Sequence, residues 1–131
     1  MMNLSGSWTA DFGQSQLRGP APAAVNVRIE HSHDRLREEI TATLPDGTER
    51  RSVLECHIGG VQAMVSLAGR PVRGGVKWEG QELVIELWVD AGNRELHLCD
   101  YWSLSPDGRV LTMEHRNDDL AGQKTVFRKV D

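Results

Sequence analysis

The chain has 131 residues, a formal charge of −4, 39% apolar and 26% charged side chains. These figures point to a single folded domain spanning residues 1–131 and exclude a disordered chain, a collagen-like repeat and a coiled coil. The acidic balance provides no basic field for nucleic acid or an anionic membrane, and no apolar run approaches the ~20 residues of a membrane helix.

In chain order, the first apolar-aromatic stretch is Leu4 to Asp11, built around Trp8. Residues 12–22 hold Phe12, Gly19, Pro20 and Pro22 and read as an extended connection, too short for a long helix. From there a period of two dominates, as a half-buried strand requires. Val25, Val27 and Ile29 alternate with Asn26, Arg28 and Glu30, and Leu36, Ile40 and Ala42 alternate with Arg37, Glu39 and Thr41. The pattern continues through Leu54, Cys56 and Ile58, then Leu83, Ile85, Leu87 and Val89, then Leu96, Leu98 and Trp102. Leu111 aligns with Met113, and Thr125 with Phe127. The predicted strands are 4–11, 23–31, 35–44, 48–58, 61–68, 71–78, 82–90, 94–104, 109–117 and 122–130.

Turn chemistry separates them. Leu44-Pro45-Asp46-Gly47 and Ser105-Pro106-Asp107-Gly108 repeat one signal: Pro presets φ, Asp bonds the backbone ahead, and Gly supplies a positive φ. Gly59-Gly60, Glu79-Gly80, Ala91-Gly92-Asn93 and Asn117-Asp118-Asp119 mark further corners, and Gly74-Gly75 within a strand run reads as a bulge or a close backbone approach. Ten short strands with short connections make an antiparallel meander. Closure into an up-and-down β-barrel of about 8–10 strands would remove its edges; a β-sandwich is the alternative.

The start, Gly6-Ser7-Trp8, resembles the Gly-x-Trp motif on the first strand of the calycin superfamily, the lipocalins and fatty-acid-binding proteins. Thr125 to Val130 resembles a calycin last strand, and Trp8, Asp11, Ser15, Gly19, Pro20 and Pro22 are similar to the opening of small bacterial lipocalin-like proteins. The resemblance covers nearly the whole chain. It implies a barrel enclosing a small molecule, a mouth covered by loops, and Arg128 packed across Trp8 to close the barrel. Fatty-acid-binding proteins carry an Arg-x-Tyr pair on the last strand; Thr125 and Phe127 stand there instead, so the pair that binds a carboxylate is missing.

Polar residues sharing the inward apolar face are the candidates for function. Glu38 lies between Leu36 and Ile40, Asp100 between Leu98 and Trp102, and His115 follows Met113. The side chains expected to touch an enclosed molecule are Glu38, Cys56, Asp100, Trp102, Met113, His115 and Phe127. A carboxyl and an imidazole meeting in an apolar cavity suit acid–base chemistry, yet inward polar groups near a barrel mouth are more often bonded to each other or to water. His31, which continues the Val25–Ile29 face, lies near a turn, where a hydrated side chain is the ordinary outcome. His31-Ser32-His33-Asp34 has no third metal ligand at a telling spacing, so no metal is assigned. A barrel histidine can ligate haem, but nothing distinguishes His57, His97 and His115, and no cofactor is assigned.

Cys56 and Cys99 read as reduced thiols, not a disulfide. The first residues lack a basic stretch followed by an apolar one, so the expected compartment is the cytoplasm. The leading expectation is a barrel that binds a small, mostly apolar or amphipathic molecule. The alternatives are a small acid–base enzyme (an isomerase, cyclase or lyase) and an assembly protein using Trp88, on the outward face, as a homodimer contact.

Overall fold

In the computed structural model, described over residues 3–17, 20–59, 63–67, 69–90, 92–116 and 122–130, the chain is all β. Its strands are β1 (Gly6–Ala10), β2 (Ala24–Ser32), β3 (Arg35–Thr43), β4 (Glu49–His57), β5 (Ala63–Leu67), β6 (Arg70–Glu79), β7 (Glu82–Asp90), β8 (Glu95–Leu104), β9 (Val110–His115) and β10 (Gln123–Val130). Each expected strand is present within two residues of its expected ends. Among the corners read from sequence, Gly60, Ala91 and Asn117-Asp118-Asp119 lie outside the described residues, as does Gly19.

The strands pair antiparallel in chain order and close into a barrel, because β1 pairs with both β2 and β10. Trp8 stands opposite Val27 on one side and Lys129 on the other. The closed strand order rules out the sandwich alternative. The β4–β5 pairing is short, with Leu54 opposite Leu67 and Glu55 opposite Ser66. Beyond it the chain after β4 bonds directly to β6, Gly59 N–H donating to the Val76 carbonyl at 2.7 Å.

Both Pro-Asp-Gly turns form as their residues dictate. Gly47 and Gly108 donate their N–H groups to the Leu44 and Ser105 carbonyls at 2.9 Å, and the Asp46 and Asp107 carboxylates accept from the N–H groups of Thr48 and Arg109. Both glycines take positive φ, 90° and 73°. This is the tight turn with a left-handed residue that sets a hairpin's twist. The β6–β7 register runs unbroken through Gly74 and Gly75, so the glycine pair is a close approach and not a bulge. A Cβ on Gly74 would collide with the Glu86 carbonyl oxygen, whereas one on Gly75 would meet open space.

The inward faces build one core. Val27, Ile29, Leu36, Val76, Leu83 and Leu111 are each at most 2% exposed. One end of the barrel is plugged by the chain before β1. Leu4 is buried, its carbonyl accepts from Trp8 Nε1 at 3.2 Å, and its N–H donates to His31 Nδ1 at 3.1 Å. Ser5 Oγ bridges the backbone N–H and carbonyl of His31. The inward turn-proximal histidine is therefore a structural acceptor that holds the plug. Trp78 lies beside it, ring centroids 6.0 Å apart, at the same end.

The closing cation differs from the expectation. Arg128 points outward and binds Asp11, Nε to Oδ2 2.7 Å, while the cation over the Trp8 ring is Lys129, Nζ 5.8 Å from the centroid. Alternation explains the correction: Phe127 and Lys129 share a face of β10, and Arg128 has the opposite one.

Candidate functional site at the barrel mouth

The other end of the barrel opens into a cavity of about 410 Å³. Its wall comes from the connection before β2 (Phe12, Leu17, Pro20, Pro22), from Val25 on β2 and Ile40 on β3, and from Asp100, Met113, His115, Gln123, Thr125 and Phe127 on β8 to β10. The loop cover implied by the resemblance is present, supplied by Phe12, Leu17, Pro20 and Pro22. Phe12 and Leu17 have no alternating partner in sequence, so periodicity could not single them out as lining residues. Asp11 and Ser15 fold the connection over the mouth: Asp11 N–H donates to the Val126 carbonyl, and Ser15 Oγ accepts from Val126 N–H at 2.9 Å.

The polar centre of the wall is one cross-strand pair. Asp100 and His115 stand opposite each other on β8 and β9, with Oδ1 and Nδ1 2.7 Å apart. With the carboxylate ionised, the imidazole donates, which fixes its proton on Nδ1. The His115 side chain is 13% exposed and that of Asp100 39%, so the carboxylate is the more open of the two. Burial in the barrel raises the Asp100 pKa, and the hydrogen bond from His115 opposes that rise.

Glu38 lies behind this pair and outside the cavity wall. It is 5% exposed, its register neighbours are Ile29 and Leu54, and Oε2 has no hydrogen-bond partner among the described residues. Burial first, then the nearby Asp100 charge, pushes its pKa up to about 8. At neutral pH it is held as a carboxylic acid, as a buried carboxyl without a cation must be.

Of the seven residues expected to touch an enclosed molecule, the structure brings Asp100, Met113, His115 and Phe127 into one cavity wall. Glu38, Cys56 and Trp102 are packed in the core below it. Burial, with Glu38 adding to it, drives the Cys56 pKa up to about 12, so it is a thiol and not a nucleophile. Cys99 is likewise outside any disulfide.

Other surfaces are less suited to an apolar molecule. A cleft of about 640 Å³ at the plugged end is walled partly by Arg28, Glu30, Arg35, Arg37, Glu55 and His57, whose charges favour water. On the outer face, Trp88 stands between its cross-strand neighbours. Arg73 lies 4.7 Å from its ring centroid, and His97 stacks on it with centroids 4.8 Å apart and planes at 11°. His97 also meets Glu86 at 2.7 Å. The ring of the candidate dimer contact thus packs against Arg73 and His97 of its own chain and stays half-buried. Among the described residues, no three His, Cys, Asp or Glu side chains converge to hold a metal, and no helix is long and apolar enough to cross a membrane.

No family model matches this chain, and no curated protein matches it. Among solved structures it is similar to a mutant form of the REP1-NXSQ fatty acid transporter, 13% identical, with a TM-score of 0.62 over 97% of this chain and 98% of that one. At that identity the likeness establishes the fold. The protein is a calycin-like antiparallel β-barrel with a loop-covered cavity at one end.

Proposed function

We propose that the protein binds a small, mostly apolar molecule in the mouth cavity, with the Asp100–His115 pair as its polar contact. The observation that carries this reading is the wall itself: apolar side chains from the connection and four strands surround one convergent polar pair, the common make-up of a ligand site. The similarity to a fatty acid transporter supports a barrel used for carrying. Cys56 and Cys99 kept as thiols rather than a disulfide fit a reducing compartment such as the cytoplasm.

A native mass-spectrometry and thermal-shift screen against lipids, haem and aromatic metabolites tests the reading. Binding that is lost in Thr125→Trp, which fills the cavity, is the expected result. No ligand from a broad library, or binding unaffected by the filled cavity, contradicts it.

The same pair favours a second reading. An imidazole oriented by a carboxylate at 2.7 Å is equipped to move a proton on a bound molecule. Product formation from a bound ligand, lost in His115→Gln while binding persists, would establish an acid–base enzyme. Unchanged ligand after prolonged incubation would leave a carrier.

A further inference from the structure

We propose that the mouth cavity selects an apolar molecule with a hydrogen-bond-donating head group, an amine first and an alcohol second, and rejects a carboxylate. This rests on the mouth cavity being the binding site, and it names the chemistry of the occupant.

The polar atoms of the wall set the preference. Among the described residues of the cavity wall, the polar side chains are Asp100, His115, Gln123 and Thr125, and no Lys or Arg is present. An ionised carboxylate held in an apolar cavity needs a cation or several donors to replace its water. On the last strand, the three side chains that reach the cavity are Gln123, Thr125 and Phe127, an amide, a hydroxyl and an apolar ring, and none of them is a cation.

Two acidic groups act in the opposite sense. Asp100 gives one oxygen to His115 and keeps acceptor capacity on the other, on the more open side of the pair. Glu38 stands behind it, buried as the protonated acid, with an oxygen that no described residue satisfies, close enough to feel the Asp100 charge. A carboxylate head group arriving at Asp100 would meet a like charge and the buried acid beyond it. An ammonium head group would gain a hydrogen bond in which both partners are charged, and a hydroxyl one in which only Asp100 is.

Three ligands with equal chains and different head groups test the proposal on the whole chain: octylamine, octanol and octanoate, titrated by calorimetry at about pH 7.5. Octylamine is expected to bind at least about tenfold tighter than octanoate, a difference of the size that one charge-assisted bond supplies, with octanol between them. Asp100→Asn is expected to weaken octylamine about tenfold, to leave octanol within about twofold and to improve octanoate. The wild-type ranking needs no variant, so a misfolded Asp100→Asn does not obscure the result.

Arg18 adjoins Leu17 in sequence and lies outside the described residues, so Arg18→Ala is titrated alongside, with the same ranking expected. Octanoate binding as tightly as octylamine, whether through Arg18 or without it, overturns the head-group selection and leaves the cavity as the site. Equal affinity for all three overturns it in the same way. Binding of none of the three overturns the mouth cavity as a site for apolar chains, and the selection with it.

Discussion

Asp100 and His115 face each other across the β8–β9 ladder with carboxyl oxygen and imidazole nitrogen 2.7 Å apart, at the point where the barrel interior meets its mouth cavity. His115 is largely shielded from water and Asp100 is 39% exposed, so their hydrogen bond falls between a buried contact and an exposed ion pair. A double-mutant cycle with Asp100→Asn and His115→Gln, measured by urea unfolding, is expected to give a coupling energy of about 1–2 kcal/mol. Strict additivity of the two changes would show that the contact contributes nothing.

Glu38 makes stability depend on pH in a direction opposite to most carboxylates. Its folded pKa, about 8, lies above the ordinary value of 4.5, so the folded state binds the extra proton. The full contribution is therefore present below about pH 4.5 and is lost as pH rises toward 8. Glu38→Gln removes the titration. It is expected to raise the Tm relative to the wild type at about pH 8 and to leave it nearly unchanged at about pH 4.5. Parallel Tm profiles for the two proteins would contradict the buried acid.

His31 has the reverse sign. Its Nδ1 accepts from Leu4 N–H, and burial lowers its pKa below 6.5, so the folded state favours the neutral ring. The stabilisation is complete above about 6.5 and is lost as pH falls from there through the lower folded value. The destabilisation caused by His31→Leu is expected to shrink as the solution is acidified. A difference between variant and wild type that stays constant with pH would separate His31 from the plug.

Gly74→Ala is expected to destabilise the barrel by about 2–4 kcal/mol, because the new Cβ meets the Glu86 carbonyl oxygen and comes within 2.8 Å of Leu87 Cδ2. Gly75→Ala, next in the chain and facing open space, is expected to cost less than about 1 kcal/mol. Equal urea midpoints for the two variants would contradict the close approach.

The strands were legible because a barrel wall needs one apolar and one polar face, and Val25–Ile29 and Leu83–Val89 write that out with a period of two. The same alternation put Asp100, Met113, His115 and Phe127 on the inner face, where the structure places them at the mouth. Depth along the barrel was not legible. Period two assigns a face but no height, so Glu38 and Trp102 read like Asp100 although they lie in the packed core. The cover was also hidden, because Phe12 and Leu17 come from an aperiodic segment that the closed barrel folds over its own end. Val84 shows a related limit. It has an outward position yet is only 4% exposed, flanked in register by the long side chains of Lys77 and Tyr101.

Methyl and backbone NMR shifts during an octanol titration show whether an apolar molecule occupies the mouth cavity. Saturable shifts are expected at Val25, Ile40, Met113 and Thr125 in the cavity wall, with Leu4 and Trp8 at the plugged end unmoved. Shifts confined to the plugged end or the outer face around Trp88, or no saturable shift at all, would contradict it.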